Sequence, residues 1–256
     1  SFSQLGTDVL YVNQFSWGDD ADQEQWRYRN RPGIQPTLAQ IIRERSRFTE
    51  TAAPMADADQ QVSYRGQEME AEIRGSPPQY GRIRNVGLRK GRFYTQAEER
   101  ATRRVCVAGA TVADELFPAG TPLGKEIKMG SVPCTIVGVQ IEKGQSELGG
   151  PTSPDERILV PFSTYDEVFG VSRGGRGVTV MAKAKSPALM DQAKEELIGI
   201  VRTARDVPPG EPNNFAINDQ QQVMDSFANV RIAIYGVGLF LTGLALVVGG
   251  IGVMNI

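Results

Sequence analysis

The sequence of 256 residues contains no histidine. The chain therefore lacks the commonest general base, a common metal ligand and the residue that activates many serine and cysteine nucleophiles. Its formal net charge is only −2 at pH 7, which gives no global attraction to nucleic acid or to anionic lipid. These features argue against histidine-based catalysis and against nucleic-acid binding, although an enzyme built on carboxylates or lysine stays open.

Cysteine is also scarce, since only Cys106 and Cys134 occur, both in strand-like runs. A disulfide between them would persist only outside the cytoplasm, and it requires a suitable separation of the two Cα atoms. Two buried free thiols are therefore favoured, and a bridge between Cys106 and Cys134 is the alternative.

Long uncharged runs are absent until the C-terminal end, where no residue after Arg231 carries a charge. As a helix the run 232–256 would measure about 37 Å, and a hydrocarbon core is about 30 Å thick. We therefore predict a transmembrane helix over 232–256. The sequence starts without an initiator methionine or a signal peptide, so we expect it to be a piece of a longer membrane protein.

The predicted transmembrane helix is rich in glycine. Ala245 and Gly249 form a small-xxx-small pair, which allows two helices to approach closely. We predict a face that packs against other helices, and a generic lipid-facing helix is the alternative. The predicted packing residues are Gly243, Ala245, Gly249, Gly250, Gly252 and Asn255.

A stalk helix is predicted over 219–231, directly before the transmembrane helix. Val223, Phe227 and Val230 lie at helical spacing and continue the apolar face into the uncharged run. We expect the stalk and the transmembrane segment to form one continuous helix. Such a helix would carry movement of the preceding domain into the bilayer.

The residues before the stalk follow two patterns. The segments 1–74 and 162–218 each predict strand, helix and strand, whereas 75–161 contains short strand-like runs broken by glycine and proline. We therefore predict an α+β fold. One domain of two similar βαβ halves would carry an inserted β-rich module.

Local signals give the expected bounds of several elements. Arg65-Gly66 lies between two strand-like runs and predicts a hairpin. Thr37 and Gln40 fit a capping box at the start of a helix, and Ser186 fits the N-cap of another. Ile83–Val86 is expected to form a strand.

No segment predicts a cofactor or metal site. The nearest match to a phosphate-binding loop, 119–126, lacks both the first glycine and the final hydroxyl residue. The basic stretch 82–104 contains no recognisable nucleic-acid-binding motif and is interpreted as a solvated face. A membrane-anchored enzyme would need a carboxylate pair in a pocket, and the clearest pairs, Asp19-Asp20 and Asp57 with Asp59, are interpreted as solvated loops. We predict no catalytic, cofactor-binding or metal-binding residue in this chain.

Short motifs occur in a fixed order along the chain. Leu5–Leu10 is LGTDVL, and Gly249–Ile256 is GGIGVMNI. Five more lie between them: Gly91–Phe93, Val105–Gly109, Leu116–Phe117, Pro122–Lys125 and Thr135–Val139. Together they resemble the MacB/FtsX-type ABC transporter permeases, whose second transmembrane helix carries GGIGIMNI. The periplasmic core of that family carries GRFF, VAVLG, LF, PLGK and FTVVGV in the same order.

The resemblance implies an extracytoplasmic domain between the family's first and second transmembrane helices. MacB-type members have a Porter-like domain in two βαβ halves and an inserted β-rich Sabre-like module. On this basis 1–74 and 162–218 are the Porter-like halves, 75–161 is the Sabre-like module, 219–231 is the stalk and 232–256 is the second of four transmembrane helices. The implied location is the bacterial inner membrane, with 1–231 on the periplasmic or extracytoplasmic side.

The resemblance also implies a function and partners. The implied function is to transmit ATP-driven conformational change to the periplasm, for export or extraction of a substrate. ATP and Mg are expected on a cytoplasmic ABC ATPase domain or subunit outside this chain, so the chain itself is expected not to be an enzyme. Other expected partners are a second permease copy and a periplasmic adaptor protein. The alternative is an FtsX-like membrane-tethered regulator of a periplasmic partner such as a cell-wall hydrolase.

Overall fold

A computed structural model describes residues 8–17, 31–118, 120–144, 153–171 and 177–219, together with residues 235, 238, 242 and 243. Within these residues, ten strands belong to a single sheet, and six α-helices are described over their whole length. The mixed α+β class predicted from the sequence is confirmed.

The elements follow one another in a mixed order along the chain. The strands are β1 (Val9–Asn13), β2 (Thr49–Tyr64), β3 (Gln67–Gly75), β4 (Leu88–Gly91), β5 (Val105–Ala108), β6 (Glu126–Met129), β7 (Val132–Gln140), β8 (Arg157–Val160), β9 (Val178–Ala184) and β10 (Ala216–Asp219). The helices are α1 (Leu38–Arg45), α2 (Gln79–Ile83), α3 (Gln96–Arg100), α4 (Ala110–Leu116), α5 (Phe162–Phe169) and α6 (Met190–Ala204).

The order of strands across the sheet differs from their order along the chain. It is β10-β1-β9-β2-β3-β8-β5-β7-β4, and β6 pairs with both β2 and β7. The β3–β8 and β5–β7 pairs are parallel, and the others are antiparallel. Strand β9 therefore lies between β1 and β2. The first and last parts of the described chain consequently share one end of the sheet.

At that end, α1 and α6 cover one face of the sheet. Alternate residues of β1 point to opposite faces, so Leu10 and Val12 pack beneath these helices while Val9 and Tyr11 face the other way. Helix α1 buries Leu38, Ala39 and Ile42, and helix α6 buries Ala193, Leu197 and Val201. In both sets buried residues recur three or four positions apart, as on one face of an amphipathic helix, which explains why these segments are helical.

At the other end of the sheet, α4 and α5 both pack against β3 and contribute to a second core. Ile73, Ile136, Ile158 and Val112 are fully buried there. A third cluster lies on the opposite face. It brings Tyr80 and Ile83 of α2 against the sheet residues Met55, Leu159 and Met181.

The predicted hairpin is confirmed. Strands β2 and β3 pair from Tyr64 opposite Gln67 to Ala56 opposite Gly75. The connecting residues Arg65 and Gly66 have φ values of +47° and +89°. Positive φ at both central positions is the conformation that suits a two-residue hairpin, because its twist matches that of the strands.

Four local predictions are wrong. Asp57 and Asp59, interpreted as part of a solvated loop, are exposed but lie within β2. Ile83–Val86 is not a strand: α2 ends at Ile83, and the Val86 N–H donates to the carbonyl of Gly81. Thr37 makes no capping hydrogen bond, because its backbone is already helical, with φ −60° and ψ −23°. Ser186 makes none either, and a 3₁₀ turn over Pro187–Leu189 precedes α6.

The division into 1–74, 75–161 and 162–218 stays a prediction, because β2 pairs with strands of all three segments. Asp219, the first residue of the predicted stalk, is the last residue of β10. Val223, Phe227 and Val230 lie outside the described residues, as do Ala245, Gly249, Gly250, Gly252 and Asn255. In the part of the chain that is described, no helix has both the length and the apolar character needed to cross a membrane.

Candidate functional site

The first and last described strands of the domain, β1 and β10, lie side by side. They pair antiparallel, with Leu10 opposite Asp219 and Asn13 opposite Ala216. Opposed Cα atoms in such a pair are about 4.5–5.5 Å apart. The chain therefore enters the sheet at the start of β1 and leaves it at the end of β10, at neighbouring points at one end of the sheet.

The Asn218 side chain fixes β10 to the segment that follows β1. Its amide Nδ2 donates to the carbonyl of Phe15 at 3.0 Å, and its Oδ1 accepts from the Trp17 N–H at 3.0 Å. Asn218 is only 1% exposed, so these bonds replace water that the buried amide has lost. The Trp17 ring lies 4.8 Å from the ring of Tyr11, which is opposite Asn218 in the β1–β10 pair, so the contact continues on the same face of the sheet.

Helix α6 holds the last residue of β10. Lys194 Nζ donates to Asp219 Oδ2 at 3.0 Å, and both side chains are partly buried. Because α6 packs firmly into the core through Leu197 and Val201, the position of Asp219 is coupled to the body of the domain. A cavity of about 320 Å³ between α6 and β10 has Lys194 and Ile198 among its lining residues.

Helix α6 also binds the junction between α1 and β2. The Glu196 carboxylate accepts from the N–H groups of Arg47 at 2.9 Å and Phe48 at 3.2 Å, and from Ser46 Oγ at 2.6 Å. Burial by itself would raise the pKa of Glu196, but these hydrogen bonds outweigh burial and lower the pKa. This contact joins the two predicted βαβ halves, 1–74 and 162–218.

A charged network lies across β2, β3 and β8. Glu72, only 9% exposed, accepts from Arg74 at 2.9 Å and from Arg157 at 2.6 Å, and Arg74 also pairs with Asp57. Arg74 Nη1 donates to the Tyr80 hydroxyl at 3.0 Å. Burial alone would raise the pKa of Tyr80, yet the neighbouring arginines outweigh it and lower the pKa. The network joins α2 to the sheet. It also pairs Arg74 with Asp57, one of the carboxylates considered for catalysis.

The remaining predicted residues are dispersed. Cys106 and Cys134 are buried free thiols in the second core, on β5 and β7. Burial raises the pKa of the Cys106 thiol, and the neighbouring Cys134 thiol adds to the effect. Gly243 is helical and exposed, and it is the one predicted packing residue that falls in the described residues. Among the described residues, no group of three or more histidine, cysteine, aspartate or glutamate side chains is placed to hold a metal ion.

The contacts around the chain's entry and exit were not predicted. Lys194, Glu196 and Asn218 each bind a residue that is distant in sequence or on another element. The partners of these polar residues depend on which strands are neighbours in the sheet, and no local sequence pattern predicts that. Away from these contacts, the T-x-x-E spacing at Thr95 is a capping-box signal that the sequence does supply.

Comparisons with known proteins agree with this architecture. Residues 1–200 match the family described as MacB-like periplasmic core domain. A macrolide export ATP-binding/permease protein MacB of Rhodopirellula baltica is 27% identical over 89% of this chain and 37% of its own length. A protein of the same description from Bdellovibrio bacteriovorus is 31% identical over 80% of this chain and 31% of its own length. The chain thus spans about a third of these relatives.

A solved structure shows the same fold. The periplasmic region of MacB from Actinobacillus actinomycetemcomitans superposes with a TM-score of 0.70 at 16% identity, covering 88% of this chain and 95% of that one. At this identity the likeness shows the fold alone, and the family assignment depends on the sequence match over 1–200. The chain belongs to the family of MacB-like periplasmic core domains, which are part of MacB/FtsX-type ABC transporter permeases.

Proposed function

We propose that this domain transmits ATP-driven conformational change from the cytoplasmic side of a membrane to the periplasm, for export or extraction of a substrate. The observation that carries the proposal is the pairing of β1 with β10, which puts Leu10 opposite Asp219. A domain whose chain enters and leaves at one point can be moved as a unit by the two membrane helices expected on either side.

The contacts around that point favour transmission over a flexible tether. Asn218 is bonded to the segment after β1, and Asp219 is held by Lys194 of α6. Helix α6 is in turn bonded through Glu196 to the start of β2. A displacement applied at Asp219 therefore passes into α6 and the sheet through short polar contacts and packed side chains.

The expected assembly follows from the family. We propose that ATP and Mg bind a cytoplasmic ABC ATPase domain or subunit, and that this chain is not itself an enzyme. A second permease copy and a periplasmic adaptor protein are the other proposed partners. The chain would lie in the inner membrane through 232–256, with 1–231 outside the cytoplasm. The relatives reported above are described as macrolide exporters, so a macrolide is the first substrate to test.

The test is to interrupt the predicted stalk in the intact transporter. A flexible Gly-Ser linker inserted between Asn229 and Ile232 should preserve membrane insertion and ATP hydrolysis but reduce macrolide export. A reporter independent of substrate is a spin label at Glu195→Cys, an exposed position on α6. Distances between the labels of two copies should change on ATP binding in the parent transporter and not in the linker variant.

The matched control is the same linker placed after Gly210, in an exposed turn with open space around it. This control should keep both export and the ATP-dependent distance change. Export that persists in the stalk variant, with an unchanged response of the labels, would show that the stalk does not transmit the motion. No observation in the described residues favours the alternative of a regulator of a cell-wall hydrolase.

A further inference from the structure

The β2–β3 hairpin leaves part of β3 unpaired along its outer side. Strand β3 spans Gln67–Gly75, yet β8 pairs with it only over Glu72–Gly75. In the portion of the chain that is described, no strand pairs with the outer side of 67–71. We call this stretch the open edge.

The direction of the main-chain groups at the open edge follows from pairing on the other side of the hairpin. The carbonyl of Gln61, which lies opposite Glu70, accepts from the Gly130 N–H beside β6 at 2.9 Å. Opposed residues in an antiparallel pair either bond to each other or both face away. The main-chain N–H and C=O groups of Gln61 face away from β3. Those of Glu70, which lies opposite, therefore face away from β2. By the same alternation, those of Glu68 also lie on the open edge.

The side chains give the open edge two chemically different sides. The Glu68 and Glu70 side chains are exposed on the side of Gln61, whose Nε2 donates to Glu68 Oε2 at 2.8 Å. Met69 points to the other side and is partly buried against the second core. These four residues line an open cavity of about 400 Å³ beside the edge.

We propose that the open edge binds an extended segment of a protein partner in which lysine or arginine alternates with apolar residues. Such a segment would add a strand to β3, with its main chain bonded to Glu68 and Glu70. Side chains of a strand alternate between its two faces, so basic residues would meet the carboxylates while apolar residues lie beside Met69. This binding does not depend on the proposed transmission of motion.

The charge of the open edge selects the occupant. A second copy of this chain pairing edge to edge would place Glu68 and Glu70 against the same residues, and like charges directly opposed destabilise a sheet. Charged side chains commonly prevent self-pairing of edge strands. The same two carboxylates favour a basic segment, so the charge pattern disfavours pairing with a second copy and favours a different, basic partner.

The experiment uses the whole 256-residue chain in detergent and a short fluorescent peptide of alternating lysine and valine. We expect saturable binding by fluorescence anisotropy and slower hydrogen exchange at the Glu68 and Glu70 amides. The substitution Glu70→Pro removes an outward N–H that β2 does not use, which an edge strand tolerates. It should weaken binding at least about tenfold, or about 1.4 kcal/mol.

Two further comparisons separate main-chain pairing from simple charge attraction. The peptide N-methylated at alternate residues, which cannot complete the strand pairing, should bind at least about tenfold more weakly than the parent peptide. Glu68→Lys with Glu70→Lys should abolish binding of the lysine peptide and create binding of a glutamate–valine peptide. The control Glu115→Lys makes one such charge reversal at an exposed site on α4 and should leave binding unchanged. The proposal is overturned if the parent chain does not bind the peptide, or if Glu70→Pro and N-methylation both leave binding intact.

Discussion

A Cβ atom placed on Gly75, the last residue of β3, would lie 2.3 Å from both the Cβ and the Cγ of Tyr165 in α5. Neither partner can move away easily. Gly75 is paired with Ala56 of β2 on one side and Val160 of β8 on the other, and the Tyr165 ring packs against Phe169 at 4.4 Å. Gly75→Ala should therefore lower the free energy of unfolding by about 2–3 kcal/mol, measured by urea unfolding of the whole chain.

The matched control for Gly75→Ala is Gly199→Ala. Gly199 lies within α6, is exposed and has no atom within 4 Å of a built Cβ. Alanine in a helix interior is favoured over glycine by about 0.5–1 kcal/mol, so this change should raise the free energy of unfolding. Equal effects of the two alanine substitutions would show that the approach of β3 to α5 is looser than the structure indicates.

Glu196→Gln should destabilise the domain, because an amide is a weaker acceptor than the carboxylate for the N–H groups of Arg47 and Phe48. Hydrogen bonds to charged groups contribute about 1.5–3 kcal/mol, and partial exposure favours the lower end. The pKa of Glu196 is lowered from 4.5 in the folded state, so its contribution is present above pH 4.5 and declines as pH falls below it. Urea unfolding at pH 7 and at lower pH should show a difference between parent and variant that shrinks on acidification. Glu195→Gln, at the exposed neighbouring position, should show no such difference.

A capping box begins α3. Thr95 Oγ1 accepts from the Glu98 N–H at 3.3 Å, and Glu98 Oε2 accepts from the Thr95 N–H at 2.8 Å. Thr95→Ala should lower the free energy of unfolding by about 1 kcal/mol. The hydrogen bond from Arg92 is the main reason that the pKa of Glu98 falls to about 2.

The Glu98 carboxylate should therefore stabilise the folded state above pH 4.5, and that contribution should be lost between about pH 4.5 and pH 2. Unfolding curves of Glu98→Gln, compared with the parent chain over this range, test the sign. The glutamine retains the capping reach but not the charge, so the two proteins should converge in stability as pH falls. A difference that grows on acidification would contradict the assignment.

Local sequence patterns indicate a turn or a helix face where neighbouring residues alone determine it. Arg65-Gly66 predicted a hairpin turn, which β2 and β3 form. The residues that α6 buries, Ala193, Leu197 and Val201, recur every four positions, which is a local signal of a helix face. The capping boxes show the limit of such signals. Thr37 had the required spacing but sits in helical backbone, whereas Thr95 has the extended backbone, φ −99° and ψ 165°, that a capping residue needs. Backbone conformation at the cap decides the outcome, and residue spacing alone does not report it.

The order of strands in the sheet depends on long-range pairing, which local sequence patterns do not indicate. The same is true of the contacts where β1 begins and β10 ends. Strand β4 is half charged, with Arg89 and Lys90 exposed at the edge of the sheet, so it shows no apolar alternation. Strand β9 comes late in the chain, yet it pairs with both β1 and β2 and lies between them. The contact of Lys194 with Asp219 follows from that order, because it exists only when β10 lies beside β1 near α6.

The two cysteine thiols should be unreactive in the folded chain. Cys106 and Cys134 are 0% and 1% exposed, and burial raises the pKa of Cys106, so little reactive thiolate forms in the folded chain. A thiol-reactive disulfide reagent at pH 8 should modify neither residue in the folded protein and both after unfolding in urea. A Glu195→Cys variant, with its added exposed thiol, should react at once and serves as the positive control. Unfolded parent protein without reactive thiols would establish instead that a bridge joins β5 and β7. Rapid reaction before unfolding would mean that the second core opens readily.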